Sequence, residues 1–515
     1  MHFVILSLYH SIIHSLKMKI DHATASTAFN KDEAHVDWHD ETLWFVRSKR
    51  DKAVFQIPEW EQLREAGSQI KNHVLSNMHD LLLEFEEKAT ANGITIHWAA
   101  DAQEHNEIVY KIIRETTPPA HEGGAFKSEL LDELSSEKAP PLGAGGAILR
   151  MVKSKSMLTE ECHLNEFLKE KGVEVIDSDL GERIVQMREE APSHIVLPAI
   201  HLKKSDVSET FHKHLGTEKG ATDPQYLTEA ARQHLRDTFL TRKVALTGVN
   251  FAIAETGGFV VCTNEGNADM GVHLADVHIA SMGFEKIIPK AEHLGVFLRL
   301  LARSATGQPI TTFSSHFHKP REGQKMHIII VDNGRTKQLG RPDFRNSLKC
   351  IRCAACFNTC PVYRRSGGHS YHTAIAGPIG SILAPNLDMA QNADLPFAST
   401  LCGSCSNVCP VKIDIHEQLY KWRQVLVQEG HVSSVKSLGI KSMASVLSSP
   451  SFYRTAGKLG RFLMKNIPFV TNNNLNVWYQ QRDMPEVPKE SFREWYLLRE
   501  KGNKEEGRKG GENTL

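Results

Sequence analysis

The stretch CIRCAACFNTCP, residues 350–361, decides how this chain is built. It sets Cys350, Cys353, Cys356 and Cys360 at the x2, x2, x3 spacing of a bacterial ferredoxin run, with Pro361 directly after the last thiol. The iron corners of a cubane cluster lie close together, so three thiolates on one tight loop can reach three of them. The fourth Cys, turned away by the proline, reaches a second cluster. A second run, LCGSCSNVCP at 401–410, repeats the spacing as Cys402, Cys405 and Cys409 before Pro410, without a first Cys.

Crossing the ligands as two-cluster ferredoxins do assigns Cys350, Cys353, Cys356 and Cys409 to one 4Fe-4S cluster. Cys360, Cys402 and Cys405 remain for a second, one thiolate short. Ser399 stands where the missing ligand would be. A 3Fe-4S cluster, a 4Fe-4S cluster with an oxygen ligand, and one with an open iron corner all stay possible. A pair of structural zinc knuckles is the bland alternative, but it leaves Cys356, Cys360 and Cys409 unused. Cys162 and Cys262, the other two of the nine cysteines, read as small core hydrophobes.

Outside the runs, 61 Lys+Arg against 61 Asp+Glu in 515 residues argue against a nucleic-acid partner. A G-x-G-x-x-G fingerprint for NAD or flavin is absent. The long chain and odd thiol count point to a reducing compartment, not a disulfide scaffold. Residues 1–39 are expected to be unstructured or an upstream extension.

Periodicity predicts an α/β domain over residues 40–335. Trp60 to Leu83 reads as one long amphipathic helix, and Glu160–Lys171 as another. Residues 94–99, Leu149–Lys153, Val173–Asp177, His194–Ile200, Val244–Asn250, Gly258–Thr263 and 327–332 read as strands. A Pro/Gly-rich excursion near 116–149, with a short helix at Ser128–Leu134, interrupts them. The texture changes after Gly340, giving an α-helical two-cluster domain at 340–430, a basic helical region at 431–500 and a disordered tail at 501–515.

Further candidate sites are weaker. The loops 255–258 and 263–267 read as ordinary turns or as anion-binding loops. Lys153, Lys155 and Ser156 read as a solvated strand end or as anion contacts. Arg364 and Arg365 read as a solvent-facing pair or as charges that raise a cluster's potential. The 27 His residues show no pair at metal-binding spacing. Between Glu429 and Asp483 there is no acidic residue, against Lys436, Lys441, Arg454, Lys458, Arg461, Lys465 and Arg482. With apolar faces at Leu438 to Leu447 and Leu459 to Ile467, such helices suit an anionic membrane surface, an acidic partner or their own core.

CIRCAACFNTCPVYRRSGGHSY (350–371), GPIG (377–380) and LCGSCSNVCPVKI (401–413) resemble the lactate utilization protein B family, iron–sulfur subunits of a bacterial L-lactate oxidation system. VKSKSMLTEE (152–161), DLGERIVQ (179–186), PSHIVLPAIH (192–201) and GVNFAIAETGGFVVCTNEGN (248–267) resemble its lactate-utilization domain. The resemblance implies an isomerase/CoA-transferase-like fold for the first domain and two iron–sulfur clusters in the second. It implies two partners, a companion iron–sulfur subunit and a small lactate-utilization-domain subunit. The lack of a Cys at 399 is usual for that family. The implied role is electron transfer in lactate oxidation, in the cytoplasm or on the inner membrane surface, by a chain not catalytic alone. An equivalent role for another 2-hydroxy acid such as glycolate, or a cluster-bearing regulatory protein that binds a small acid, would share the same spacing.

Overall fold

The computed structural model describes residues 21–116, 149–476, 478–479 and 482–500. The expected helix at Ser128–Leu134, the rest of the 117–148 excursion and the tail at 501–515 lie outside the described residues. The chain parts into two units at Glu429/Gly430.

In the first unit six strands form an all-parallel sheet: β1 (Thr95–Ala99), β2 (Leu149–Lys153), β3 (Val173–Asp177), β4 (Val244–Gly248), β7 (Val277–Gly283) and β10 (Lys325–Val331). Their order is β1-β10-β7-β4-β2-β3. β5 (Phe251–Ile253), β6 (Gly258–Thr263), β8 (Ile287–Ile288) and β9 (Phe313–Phe317) make a smaller mixed sheet. Successive side chains of a strand point to opposite faces, so a sheet covered on both sides needs unbroken apolar runs. β10 shows this: Ile328 and Ile330 enter one core with Leu81 and Phe85, whereas Ile329 and Val331 enter the other with Val109 and Ile113.

Four sequence expectations change. Residues 22–39 are not unstructured: His22–Phe29 and the start of Glu33–Phe55 are helices, N-capped by Asp21 and Asp32. They dock on the cysteine-bearing region, where the Asp394 carboxylate accepts from His22 N at 2.7 Å and the Arg364 carbonyl bonds His39 Nδ1 at 2.8 Å. The 60–83 helix is two, Trp60–Ser76 and Met78–Ala91, parted at Asn77. Glu160–Lys171 is broken by the left-handed His163 at φ 52°.

His194–Ile200 is a buried loop, not a strand. Pro198 lacks the N–H that a central strand must donate. The His194 ring replaces ladder bonds by accepting from Val196 N at 3.1 Å and Leu197 N at 2.9 Å. The apolar side chains of this run pack against the cysteine region, in a core that joins Ile195 and Phe297 to Phe357 and Trp422. One hydrophobic core joins residues on both sides of residue 340.

The second unit carries the helices Ser434–Ser448, Pro450–Asn466 and Pro468–Thr471. Among the described residues no helix is long and apolar enough to cross a membrane.

Candidate iron–sulfur centre

The two cysteine runs fold alike. Ala354 (φ 62°) and Gly403 (φ 78°) each take a left-handed turn into a five-residue helix, Ala355–Thr359 and Ser404–Val408. Cys360 and Cys409 end those helices in extended backbone, and each precedes its proline. Pro361 then opens the helix Pro361–Ser366, a position where its missing N–H costs nothing. Arg352, between the first two thiols, is also left-handed at φ 61°, which lets its own N–H donate to Cys350 Sγ at 3.4 Å. Ile413 N donates to Cys409 Sγ at 3.3 Å and Tyr363 N to Cys360 Sγ at 3.5 Å.

This geometry sorts the seven thiols. Cys350, Cys353, Cys356 and Cys409 line one small apolar cavity with Ile195, Ile379, Val411, Ile413 and Ile415. Cys360, Cys402 and Cys405 lie outside it and act electrostatically on one another, and Cys405 also acts on Cys356. All are free of disulfides, and only Cys402 is exposed. Burial pushes the Cys353 and Cys356 thiols well up, Cys360 up, Cys405 to about 12 and Cys409 to about 11. An apolar pocket does not stabilise free thiolates, so these four sulfurs would ionise only against the positive charge of a bound metal. Soft sulfur donors around an apolar space, with N–H groups aimed at them, fit an iron–sulfur cluster.

Ser399 Oγ accepts from Leu401 N at 3.1 Å. Arg364 Nη1 pairs with Asp40 at 3.2 Å, and Arg365 Nη1 with Asp37 at 2.7 Å. Arg365 is half exposed, whereas Arg364 lies over the Trp44 ring and within electrostatic reach of Cys360.

Sequence reasoning missed the arginines that clamp the second run. Arg64 Nε and Nη2 donate to the Cys409 carbonyl at 3.0 and 2.9 Å, and Nη2 also to the Asn407 carbonyl at 2.8 Å. Arg50 Nη2 donates to the Val408 carbonyl at 3.1 Å. A signal was present: Arg64 and Lys71 stand on the stripe of Trp60, Leu63, Gly67 and Val74, the face the helix buries.

In the α/β sheet Lys153 is not a solvated strand end. It is fully buried, 2.7 Å from Asp177 Oδ1, 2.9 Å from Glu160 Oε1 and 3.7 Å from Glu182 Oε2. Burial opposes its charge, but the three carboxylates outweigh it and raise its pKa. Burial also raises Glu182, against the pull of Lys153. These carboxylates edge a cleft of about 1300 Å³ that reaches Arg335, Arg352 and His369. Lys155 Nζ and Ser154 Oγ are buried without a hydrogen-bond partner, and Ser156 caps the helix Met157–Glu161. The glycine loops carry turn geometry: Gly257 and Gly266 have φ 66° and 69°, and a Cβ on Gly257 would meet Ala89 N at 2.2 Å. Glu255 and Asn264 accept backbone N–H groups from Ala291 and Thr312. Burial raises the Cys162 and Cys262 thiols to about 12 and about 11, so neither is a ready nucleophile.

A parallel α/β sheet fused to a doubled cysteine fold defines an iron–sulfur protein of ferredoxin type, and family comparisons agree. The LUD domain family matches residues 82–337, the 4Fe-4S dicluster domain 346–413, and the C-terminal family of lactate utilisation protein B 417–501. Lactate utilization protein B of Oceanobacillus iheyensis is 38% identical over 465 residues, covering 88% of this chain and 91% of its own. That of an Exiguobacterium species is 39% identical over 466 residues, and that of Bacillus cytotoxicus 37% over 469, each covering 88% of this chain and 92% of its own. The chain belongs to the lactate utilization protein B family. A solved structure, a DUF162 family protein from Deinococcus radiodurans, covers 49% of this chain and 98% of its own at 14% identity; its TM-score of 0.22 is too low to bear on the fold.

Proposed function

We propose that the chain is the iron–sulfur electron-transfer subunit of a complex that oxidises L-lactate to pyruvate. In this reading Cys350, Cys353, Cys356 and Cys409 hold one 4Fe-4S cluster, and Cys360, Cys402 and Cys405 hold a second, of 4Fe-4S or 3Fe-4S type. Such clusters supply reversible one-electron storage. The chain's own residues supply the holding thiols, the N–H donors of Arg352, Tyr363 and Ile413, and isoleucine walls that keep water from the first site. Lactate oxidation removes two electrons, so this chain carries electrons singly from a companion subunit toward the respiratory chain and removes no hydride itself.

What supports the reading is that Cys350, Cys353, Cys356 and Cys409, drawn from both runs, line one cavity while the other three thiols lie outside it, in a member of this family. Metal analysis of anaerobically purified chain tests it. About seven to eight irons per chain are expected, and about one or two zincs with little iron would sink it. The isolated chain is expected not to turn over lactate with an artificial acceptor, and to gain activity with its companion iron–sulfur subunit and small lactate-utilization-domain subunit. The all-parallel six-stranded sheet supports, as part of the same proposal, an isomerase/CoA-transferase-like α/β domain.

The second unit favours a membrane-surface role. Pro450–Asn466 buries no residue, and Leu438, Met443, Leu459 and Phe462 are 67, 59, 57 and 55% exposed. An acid-free basic segment with exposed apolar faces suits a peripheral site on anionic lipid at the inner membrane.

A further inference from the structure

The two thiol groups differ in the charge around them. On the Cys350, Cys353, Cys356 and Cys409 side stand six cations drawn from distant parts of the chain. Lys71 is 2% exposed; its Nζ donates to the Glu285 carbonyl and, at 3.4 Å, to the Ile287 carbonyl. Lys71 and the half-buried Lys286 both act on Cys350. Buried Arg50 acts on Cys353, and buried Arg64 on Cys409. Lys349, 3% exposed, donates to Ser68 Oγ at 3.0 Å and also acts on Cys409. Arg352 completes the set from between the first two thiols, its side chain 10% exposed.

Counter-charges do not cancel this. Asp51 and Glu61, which pair with Arg50 and Arg64, are 45 and 63% exposed, so water screens them. Asp414 reaches Lys349, and Glu65 pairs with Lys412 at half exposure. Buried Glu285 acts on Lys71, Lys286 and Arg352 and offsets one of the six charges, since Arg335, 2.6 Å from it, is also held by Glu161 at 2.9 Å. Around Cys360, Cys402 and Cys405 fewer cations stand among the described residues: Arg364 acts on Cys360 and pairs with Asp40, Arg47 donates to Thr359 Oγ1 and pairs with Asp51, and Arg423 donates to the Ser399 carbonyl at 2.7 Å.

We propose that Arg50, Arg64, Lys71, Lys286, Lys349 and Arg352 form a buried cation belt that gives the Cys350/Cys353/Cys356/Cys409 cluster the higher reduction potential of the two, making it the electron sink of the pair. This rests on the ligand assignment above. Reducing a cluster adds one negative charge, and fixed cations in a poorly polarisable interior favour that state. The residues are positioning residues: Arg50, Arg64, Lys71 and Lys349 hydrogen-bond backbone carbonyls or Ser68, Arg352 pairs with Glu285, and all act on the cluster through space.

The test is a redox titration of the full chain, followed by EPR, for the natural sequence and for Lys71→Met, Lys286→Met and Arg364→Gln. The lysine changes keep side-chain length and remove one charge. Each is expected to lower the reduced-to-oxidised ratio of the higher-potential cluster at least tenfold at fixed potential, about 59 mV for one electron, while the other signal stays. Arg364→Gln is expected to move only the lower one. Iron content and both signal amplitudes report intact sites, and Lys286→Met serves if Lys71→Met does not fold. Two intact signals with an unmoved upper potential in both lysine variants, or with the upper potential moved by Arg364→Gln alone, overturn the belt but not the clusters. A natural chain with little iron overturns the cluster reading itself, and the belt with it.

Discussion

Arg64 donates two hydrogen bonds to the backbone carbonyl of Cys409, a residue 345 positions away. The helix that carries Arg64 thereby holds the last turn of the second cysteine run, and Asn407 is fixed by the same guanidinium. The Asn407 carbonyl at the end of the short helix Ser404–Val408 and the Cys409 carbonyl, which also accepts from Lys412 N at 3.2 Å, are both met by this one side chain.

Arg64→Met is expected to destabilise the first unit by about 1.5–3 kcal/mol, the range for buried hydrogen bonds to a charged group. Because the loss falls on Cys409, iron should leave the four-thiol group first. Chemical unfolding and iron retention after gel filtration check both; unchanged stability with full iron content would contradict the clamp.

Ser399 Oγ already serves a local turn by accepting from Leu401 N. Ser399→Ala should therefore leave the EPR spectrum and iron count of the three-thiol group unchanged. A spin-half signal in the oxidised protein would mark a 3Fe-4S cluster there. An EPR-silent oxidised state with about eight irons, lost in Ser399→Ala, would instead make the serine its fourth ligand.

Burial raises the Glu182 carboxyl above its ordinary value of 4.5 despite Lys153 nearby. The folded state thus favours the protonated acid, and that stability is fully present below the ordinary value and lost as pH rises through the raised one. Glu182→Gln should flatten the fall in stability on the alkaline side and be at least as stable as the natural chain above neutrality. Lys153→Met, which strands Asp177 and Glu160, should cost about 3–5 kcal/mol near neutral pH. Thermal unfolding from acid to mildly alkaline pH measures both changes.

Co-sedimentation with anionic liposomes tests the second unit. Each Lys or Arg near anionic lipid contributes about 1 kcal/mol, so binding should weaken at high salt. Changing Lys441, Lys458 and Lys465 to Glu should abolish it; Arg461 is left alone because it faces Glu494 at 3.3 Å. Sedimentation indifferent to both salt and charge reversal would remove the membrane from the proposal.

The cysteine spacing, the strands β2, β3, β6 and β10 and the amphipathic helices were legible because each depends on residues close in sequence. Ligand spacing on a loop and the period of a strand or helix are local geometry. Tertiary structure alone decided that His194–Ile200 is a loop, since an apolar run says that it is buried but not whether a sheet edge is there to receive it. It alone decided that Lys153 is buried, because the carboxylates that make burial bearable come from Glu160, Asp177 and Glu182 on other elements. Residues 22–39 and the cations Arg50, Arg64 and Lys71 took their roles the same way. A polar residue in a helical stripe looks like a break in the pattern until the fold sets a carbonyl or a thiol against it, from hundreds of residues along the chain.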